Sequence, residues 1–367
     1  MRLAAEEALF PIDIVDFSAP VPKSTPLADA LGGAKGRLDF MESCDKIRAT
    51  VDGKYSGFRN FVDLVDSDEG GSMIIVGGGS SLKDTLLDIK IKTKISKKWQ
   101  IMACNKSHDF LVKNGLGSKI AYATMCDPAE WIADYITPRK GVKYLLASQL
   151  HDKTLDKFLP FKHSTYIWHT EGIFHGTPET LNYDGSITPA KTQNVREWFE
   201  AEYPFVRAGF FGRNASCIGM LALFEAVVMG VSNVELHGFD SCYLPDKKDF
   251  HAYDKPKTTK RLVDVTVKSK RHGHTLRFVT NPEMSRQALE FGNMIEGVGQ
   301  YMHGNWNTVV TVAGDGVIPW LAWKDGGKMF RHADPEAMQR KYGDAETMDI
   351  RPDWAVDENG NTRLFAP

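Results

Sequence analysis

The chain has 367 residues, enough for one large core or for one core with a smaller companion domain. Its hydrophobic content of 42% and charged content of 25% are those of an ordinary globular protein, and a formal net charge of −2 supplies no global field to recruit nucleic acid or an anionic membrane. The five scattered cysteines (Cys44, Cys104, Cys126, Cys217, Cys242) lack any C-x-x-C spacing, which argues against a disulfide framework or a zinc cluster and fits a reducing compartment.

The N-terminal MRLAAEEALFPIDIVDF carries paired glutamates and a proline where a signal peptide needs an unbroken apolar stretch. No run approaches the roughly 18 apolar residues of a membrane span. The expected location is cytoplasmic. Residues 1–70 read as an extension, made irregular early by Pro11, Pro20, Pro22 and Pro26. After Gly36 the apolar spacing turns roughly helical, interrupted at Gly53 and Gly57.

From Met73 onward strands and helices alternate. Met73–Val76 is a buried-type strand that runs into Gly77-Gly78-Gly79-Ser80-Ser81, and a helix starts at Leu82. Further strands are predicted at Gln100–Cys104, Ile120–Met125, Lys143–Ala147 and Thr165–Trp168, with helices at His108–Asn114 and Pro128–Tyr135 between them. Glu171–Arg213 reads as a long polar loop holding one short helix, NVREWFEAEY. Asn214–Gly230 is the strongest helix. It is apolar on nearly every side, with Asn214 or Ser216 as cap and Gly230 as stop. Ser232–Gly238 adds a strand, a lysine-rich loop follows, and VDVTV pairs with TLRFV as a hairpin across Arg271–His274. A helix opens at Asn281-Pro282, and Val309–Ala313 is the last core strand before Gly314-Asp315-Gly316.

The fold class is therefore α/β and Rossmann-like: a mainly parallel sheet with helices on both faces, an N-terminal extension and a late β-hairpin. The expected division is an extension over 1–70, a nucleotide-binding catalytic domain over 71–323 and a surface tail over 324–367. Such sheets bind ligands at the carboxyl ends of their strands.

That rule selects the residues that can carry chemistry. A strand, a glycine turn and a helix aim backbone N–H groups at an anion, usually a phosphate, so Gly77, Gly78, Gly79, Ser80 and Ser81 are the first binding candidates. Asn105 ends the second strand, where its amide either donates to a phosphate or ribose or simply forms a turn. Asp127 ends the third, as a ligand for ribose, metal or amine, or as cap of the helix at Pro128. Asp240 follows a later strand directly, with Tyr243 close behind. His251, in the lysine-rich loop, can act as general acid or base, or sit solvated there. His169 is a second histidine of that kind, whereas His272 and His274 read as hairpin-turn residues. No G-x-S-x-G, H-E-x-x-H or kinase-type lysine signature is present.

Several separated blocks resemble one family, the 6-hydroxymethylpterin diphosphokinase-like group that also contains the Maf motility-associated glycosyltransferases. The blocks are Gly77-Gly-Gly-Ser-Ser-Leu82, Ala103–Asn105, Met125–Pro128, Asn214-Ala-Ser-Cys217, Leu236–Tyr243 and Val309–Ile318, spread over about residues 70 to 320. Gly77–Leu82 and Cys104-Asn105 are also similar to the nucleotide-contacting elements of bacterial sialyltransferases that use CMP-sialic acid. Ser80 stands where the family carries proline, and Arg213-Asn214 stands where it has a glycine pair.

The resemblance implies a glycosyltransferase with a nucleotide-activated sugar donor, most simply a CMP-linked acidic sugar, and an acceptor that the sequence does not identify. It implies His251 and Asp127 as catalytic residues. Gly77–Ser81, Asn105, Asn214, Ser216, Asp240 and Tyr243 would bind nucleotide or substrate, with no metal required. The alternatives are a magnesium-dependent diphosphokinase using ATP and a non-catalytic nucleotide-binding module.

Overall fold

The computed structural model describes residues 38–170, 173–175, 180–181, 187–188, 192–211, 217–243, 251–252, 263–268, 275–281, 283–285, 287–288, 291 and 308–322. The elements in chain order begin with α1 (Phe40–Val51), β1 (Arg59–Asn60), β2 (Ser72–Val76), α2 (Leu82–Ile95), β3 (Trp99–Cys104), α3 (Ser107–Lys113) and β4 (Ile120–Met125). Next come β5 (Lys143–Ala147), α4 (Asp152–Phe158), β6 (Thr165–Thr170), β7 (Ile173–His175), β8 (Thr180–Leu181), β9 (Ile187–Thr188), β10 (Thr192–Asn194), α5 (Val195–Glu202) and β11 (Phe210–Phe211). The last are α6 (Ile218–Val228), β12 (Asn233–His237), β13 (Val263–Lys268), β14 (Thr275–Thr280), β15 (Val309–Ala313) and α7 (Val317–Ala322).

These elements fall into two compact units. The first combines the described residues up to Glu69 with Ile101–Gly230; the second combines Gly70–Gln100 with the described residues from Val231 onward. In the first, parallel strands run in the order β1-β6-β5-β4-β3, and β11 also pairs parallel with β6. In the second, β12 lies between β2 and β15, and both pairings are parallel. The α/β, Rossmann-like class read from the sequence is the class observed. The late hairpin is present too, as antiparallel β13 and β14 with Val263 opposite Thr280.

Local chemistry explains where the elements start and stop. Asp39 and Glu42 form a reciprocal capping box at the start of α1, each side chain accepting from the other's backbone N–H at 2.8 Å. The strands at the sheet centres are apolar on consecutive positions because both of their faces are covered. Ile74, Ile75 and Val76 of β2 are completely buried, as are Leu145 and Leu146 of β5. Each such side chain contributes about 1.5–3 kcal/mol by leaving water. α6 is wrapped by the core, as its apolar circumference predicts, and Gly230 adopts φ 84° just past its end. The short helix expected near Asn194 is α5, capped by the Asn194 side chain.

Three expectations change. Pro128–Tyr135 is not an α-helix; only a 3₁₀ turn, Glu130–Asp134, forms there. The N-cap of α6 is Cys217, which makes no side-chain cap bond, and the expected caps Asn214 and Ser216 lie outside the described residues. The stretch expected as a long loop contains β7 paired with β10 and β8 paired with β9, two short antiparallel ribbons. Short polar strands such as Thr192–Asn194 lack the alternation that marks a strand in sequence, because their pairing, not their burial, defines them.

Among the described residues no helix is long and apolar enough to cross a membrane.

Candidate functional site

The site is assembled in the second unit, where β2, β12 and β15 run parallel and deliver three turns to the same edge. The first is Gly77–Ser81. Gly77 N–H donates to the His237 carbonyl at 2.8 Å and Gly79 N–H to the Gly238 carbonyl at 2.8 Å, so the loop lies against the end of β12. A side chain at Gly79 would meet the Asp240 carboxylate at 2.6 Å, and one at Gly316 would meet the Asp240 backbone, so glycine is needed for this close approach.

Ser81 stands at the N-cap of α2, a position where serine usually caps its own helix. Here it makes no such bond. Its backbone N–H donates to Asp240 Oδ2 at 2.7 Å, its hydroxyl donates to Asp240 Oδ1, and the Ser80 hydroxyl donates to Oδ2 at 3.3 Å. The helix N-terminus predicted to face a ligand's phosphate is thus filled by the protein's own carboxylate. Asp240 is 2% exposed. Burial pushes its carboxyl up to about 6 against the pull of the serine bonds, and the nearby Asp315 pushes the same way. The Asp240 carbonyl in turn accepts from Val317 N–H at 2.7 Å, joining the turn after β12 to α7. Ser241, next in the chain, takes φ 50°, a strained conformation for a residue with a side chain.

His251 is brought to the same loop. His251 Nδ1 lies 2.9 Å from the Gly78 carbonyl, Ala252 N–H donates to that carbonyl at 3.0 Å, and Gly79 and His251 form an antiparallel bridge. A carbonyl only accepts, so Nδ1 carries a proton in this contact, while Nε2 is buried. Gly77–Ser81, Asp240 and His251 therefore form one cluster. They come from three places in the sequence.

The remaining expected residues have other placements. Tyr243 is 5% exposed and tied to the hairpin: its N–H donates to the Val279 carbonyl at 2.7 Å and its hydroxyl oxygen accepts from Asn281 at 3.3 Å. Asn105 and Asp127 belong to the first unit. Asn105 adopts φ 50°, and its side-chain oxygen is buried without a hydrogen-bond partner among the described residues. Asp127 Oδ1 accepts from Ala129 N–H at 2.9 Å, a local turn in place of the expected helix cap. Asn214 and Ser216 lie outside the described residues, as do His272 and His274. His169, the second histidine candidate, is a core residue between the rings of Phe199 and Phe210, and burial pulls its imidazole down to about 4. It is neutral at pH 7 and packed away from solvent.

Sequence reasoning missed Asp315, although its place in the turn after β15 puts it at the carboxyl edge of the same sheet. It also missed two buried polar groups. Glu225 sits at 0% exposure inside the apolar α6, with Oε1 accepting from the Thr124 hydroxyl at 2.9 Å and Oε2 without a partner among the described residues. Burial pushes that carboxyl well above the usual range. Beneath the glycine loop, Glu235 accepts from His237 Nε2 at 2.8 Å and pairs with Lys92. Burial works against its charge, but these two bonds overcome it and hold the carboxyl down at about 2. The alternation of β12, with Glu235 and His237 on one face, was the available signal.

All five cysteines are free thiols, and burial pushes Cys104 and Cys126 up, so neither is a ready thiolate. No protein-family model matches this chain, and no curated protein matches it.

Proposed function

We propose that this chain is a glycosyltransferase that takes a nucleotide-activated sugar, with a CMP-linked acidic sugar as the donor. One observation carries the proposal: His251 is hydrogen-bonded to Gly78 at 2.9 Å, in the turn that joins a parallel strand to a helix. Strand-to-helix glycine turns at the carboxyl edge of a parallel sheet are where such folds hold phosphates. A histidine fixed against that turn can protonate the departing phosphate or accept the acceptor's hydroxyl proton. The short blocks that resemble those of Maf proteins and bacterial sialyltransferases support the same chemistry. The Gly77–Gly79 turn would meet the phosphate while Ser80 and Ser81 hold Asp240, and His251 would serve as acid or base. Asp240 would hold the loop's shape from behind. Turnover of CMP- and UDP-sugars by the wild type and by His251→Ala tests this, with at least a hundred-fold loss expected in the variant. Full activity in His251→Ala refutes the catalytic role.

The nearness of Asp240 and Asp315 supports a second reading, diphosphate transfer from ATP, because paired carboxylates suit magnesium–phosphate chemistry. Strict dependence on added magnesium, with AMP as a product, selects it over sugar transfer.

A further inference from the structure

We infer that the outward face of α2 docks on an anionic lipid bilayer, with a stripe of aliphatic side chains entering the interface and a cluster of lysines meeting the headgroups. This surface is separate from the glycine turn and does not depend on that turn being a nucleotide site.

α2 has two apolar faces, and the core uses one of them. Leu82, Thr85, Ile89 and Thr93 form its buried face. Leu87, Ile91 and Ile95 follow one another at four-residue spacing, a single stripe along the helix, and are 64%, 44% and 80% exposed. At 3.6 residues per turn, Ile91 points about 160° away from Ile89, so the stripe faces solvent squarely. Single exposed aliphatic residues are ordinary, but a contiguous outward row of three marks an interaction surface.

Charge selects the partner. From Ile89 to Trp99 the chain carries five lysines and no acidic residue, a local excess that the net charge of −2 conceals. Lys92 pairs with Glu235 and lies over the Trp99 ring at 4.4 Å, while Lys90, Lys94, Lys97 and Lys98 are exposed. Lysines beside an apolar stripe, with an indole just past the helix end, are the composition of a helix that lies in a bilayer interface. A second copy of this chain would set the same four lysines against one another in a dry seam, where like charges repel more strongly than in water. A nucleic acid would take the lysines but leave the aliphatic stripe unused, since bases stack on aromatic side chains. An anionic bilayer uses both. Ile95 lies about 20 Å along α2 from the glycine turn, so the lysine cluster is distinct from the candidate site.

The test is co-sedimentation of the full chain with vesicles of phosphatidylcholine alone, or of phosphatidylcholine with about 30% phosphatidylserine. Wild type should bind the anionic vesicles about ten-fold or more tightly than the neutral ones, and about 0.5 M salt should remove that preference. Ile91→Ser combined with Ile95→Ser should weaken binding to anionic vesicles about ten-fold or more, by removing the apolar contact. Lys94→Gln combined with Lys98→Gln should weaken it about 20-fold, near five-fold for each lysine. All four side chains are exposed, so the thermal unfolding midpoint should not move in either variant, which separates lost docking from lost folding. Absence of binding to anionic vesicles, equal binding to both vesicle types, or binding unchanged in either double variant overturns the inference. Without vesicle binding, a monomer–dimer equilibrium abolished by the isoleucine changes overturns it in favour of a second copy. Oligonucleotide binding abolished by the lysine changes, again without vesicle binding, overturns it in favour of a nucleic acid.

Discussion

Replacing Glu225 with glutamine should stabilise the protein at neutral pH and destabilise it slightly, by about 1 kcal/mol, near pH 4.5. Glu225 is completely buried in α6; its one bond is from Thr124 at 2.9 Å, and its second oxygen has no partner among the described residues. Burial raises its folded-state carboxyl well above the ordinary 4.5 of the unfolded chain. The folded state therefore keeps a proton that the unfolded state releases. A raised carboxyl contributes its stability fully below pH 4.5, and that contribution is lost as pH climbs toward the folded-state value. Each pH unit between 4.5 and the folded-state value costs about 1.4 kcal/mol, so the penalty at pH 7 is at most about 3 kcal/mol. Glutamine is neutral at every pH and keeps the oxygen that accepts from Thr124. Its extra N–H remains unsatisfied at a cost of about 1 kcal/mol, which leaves a net gain of at most about 2 kcal/mol at pH 7. Urea unfolding of both proteins at pH 4.5 and 7.5 measures this. A difference between the two proteins that does not change with pH would refute the buried-acid account.

Two further changes test the packing argument. Gly79→Ala sets a methyl group against the Asp240 carboxylate and should cost about 1–3 kcal/mol of stability, read as a lowered midpoint in thermal unfolding; an unchanged midpoint means the turn is looser than described. His169→Leu should flatten the acid side of the stability profile. Wild-type His169 stays neutral in the fold down to about 4 while the unfolded chain takes up a proton below 6.5, so wild type loses up to about 3 kcal/mol across that window and the variant does not. Equal acid sensitivity in the two proteins would place the titrating group elsewhere.

Much of the architecture was legible before any coordinates. Ile120–Met125, Lys143–Ala147 and Val309–Ala313 match their predicted bounds, because strands covered on both faces must be apolar at consecutive positions. Pro128–Tyr135 failed because proline at a first helical turn is only a permissive signal. The Asp127 side chain bonds to Ala129 and closes a turn, and the helix does not develop beyond 3₁₀ geometry. His169 was misjudged as a loop histidine because β6 runs two residues further than its apolar run, to Thr170, and carries the imidazole into the core.

The sequence by itself determined the α/β class, the positions of the core strands along the chain and the glycine turn at the end of β2. These follow from local periodicity and from glycine's freedom to turn, which neighbouring residues specify. Only the tertiary structure decided what faces that turn. Asp240 lies 159 residues from Ser81 and His251 lies 173 from Gly78, and no local pattern encodes a pairing at such separations. The same contacts reversed one expectation. The helix N-terminus that reads as an open anion site is occupied by a buried carboxylate, because parallel strands far apart in sequence end side by side and bring their turns into contact.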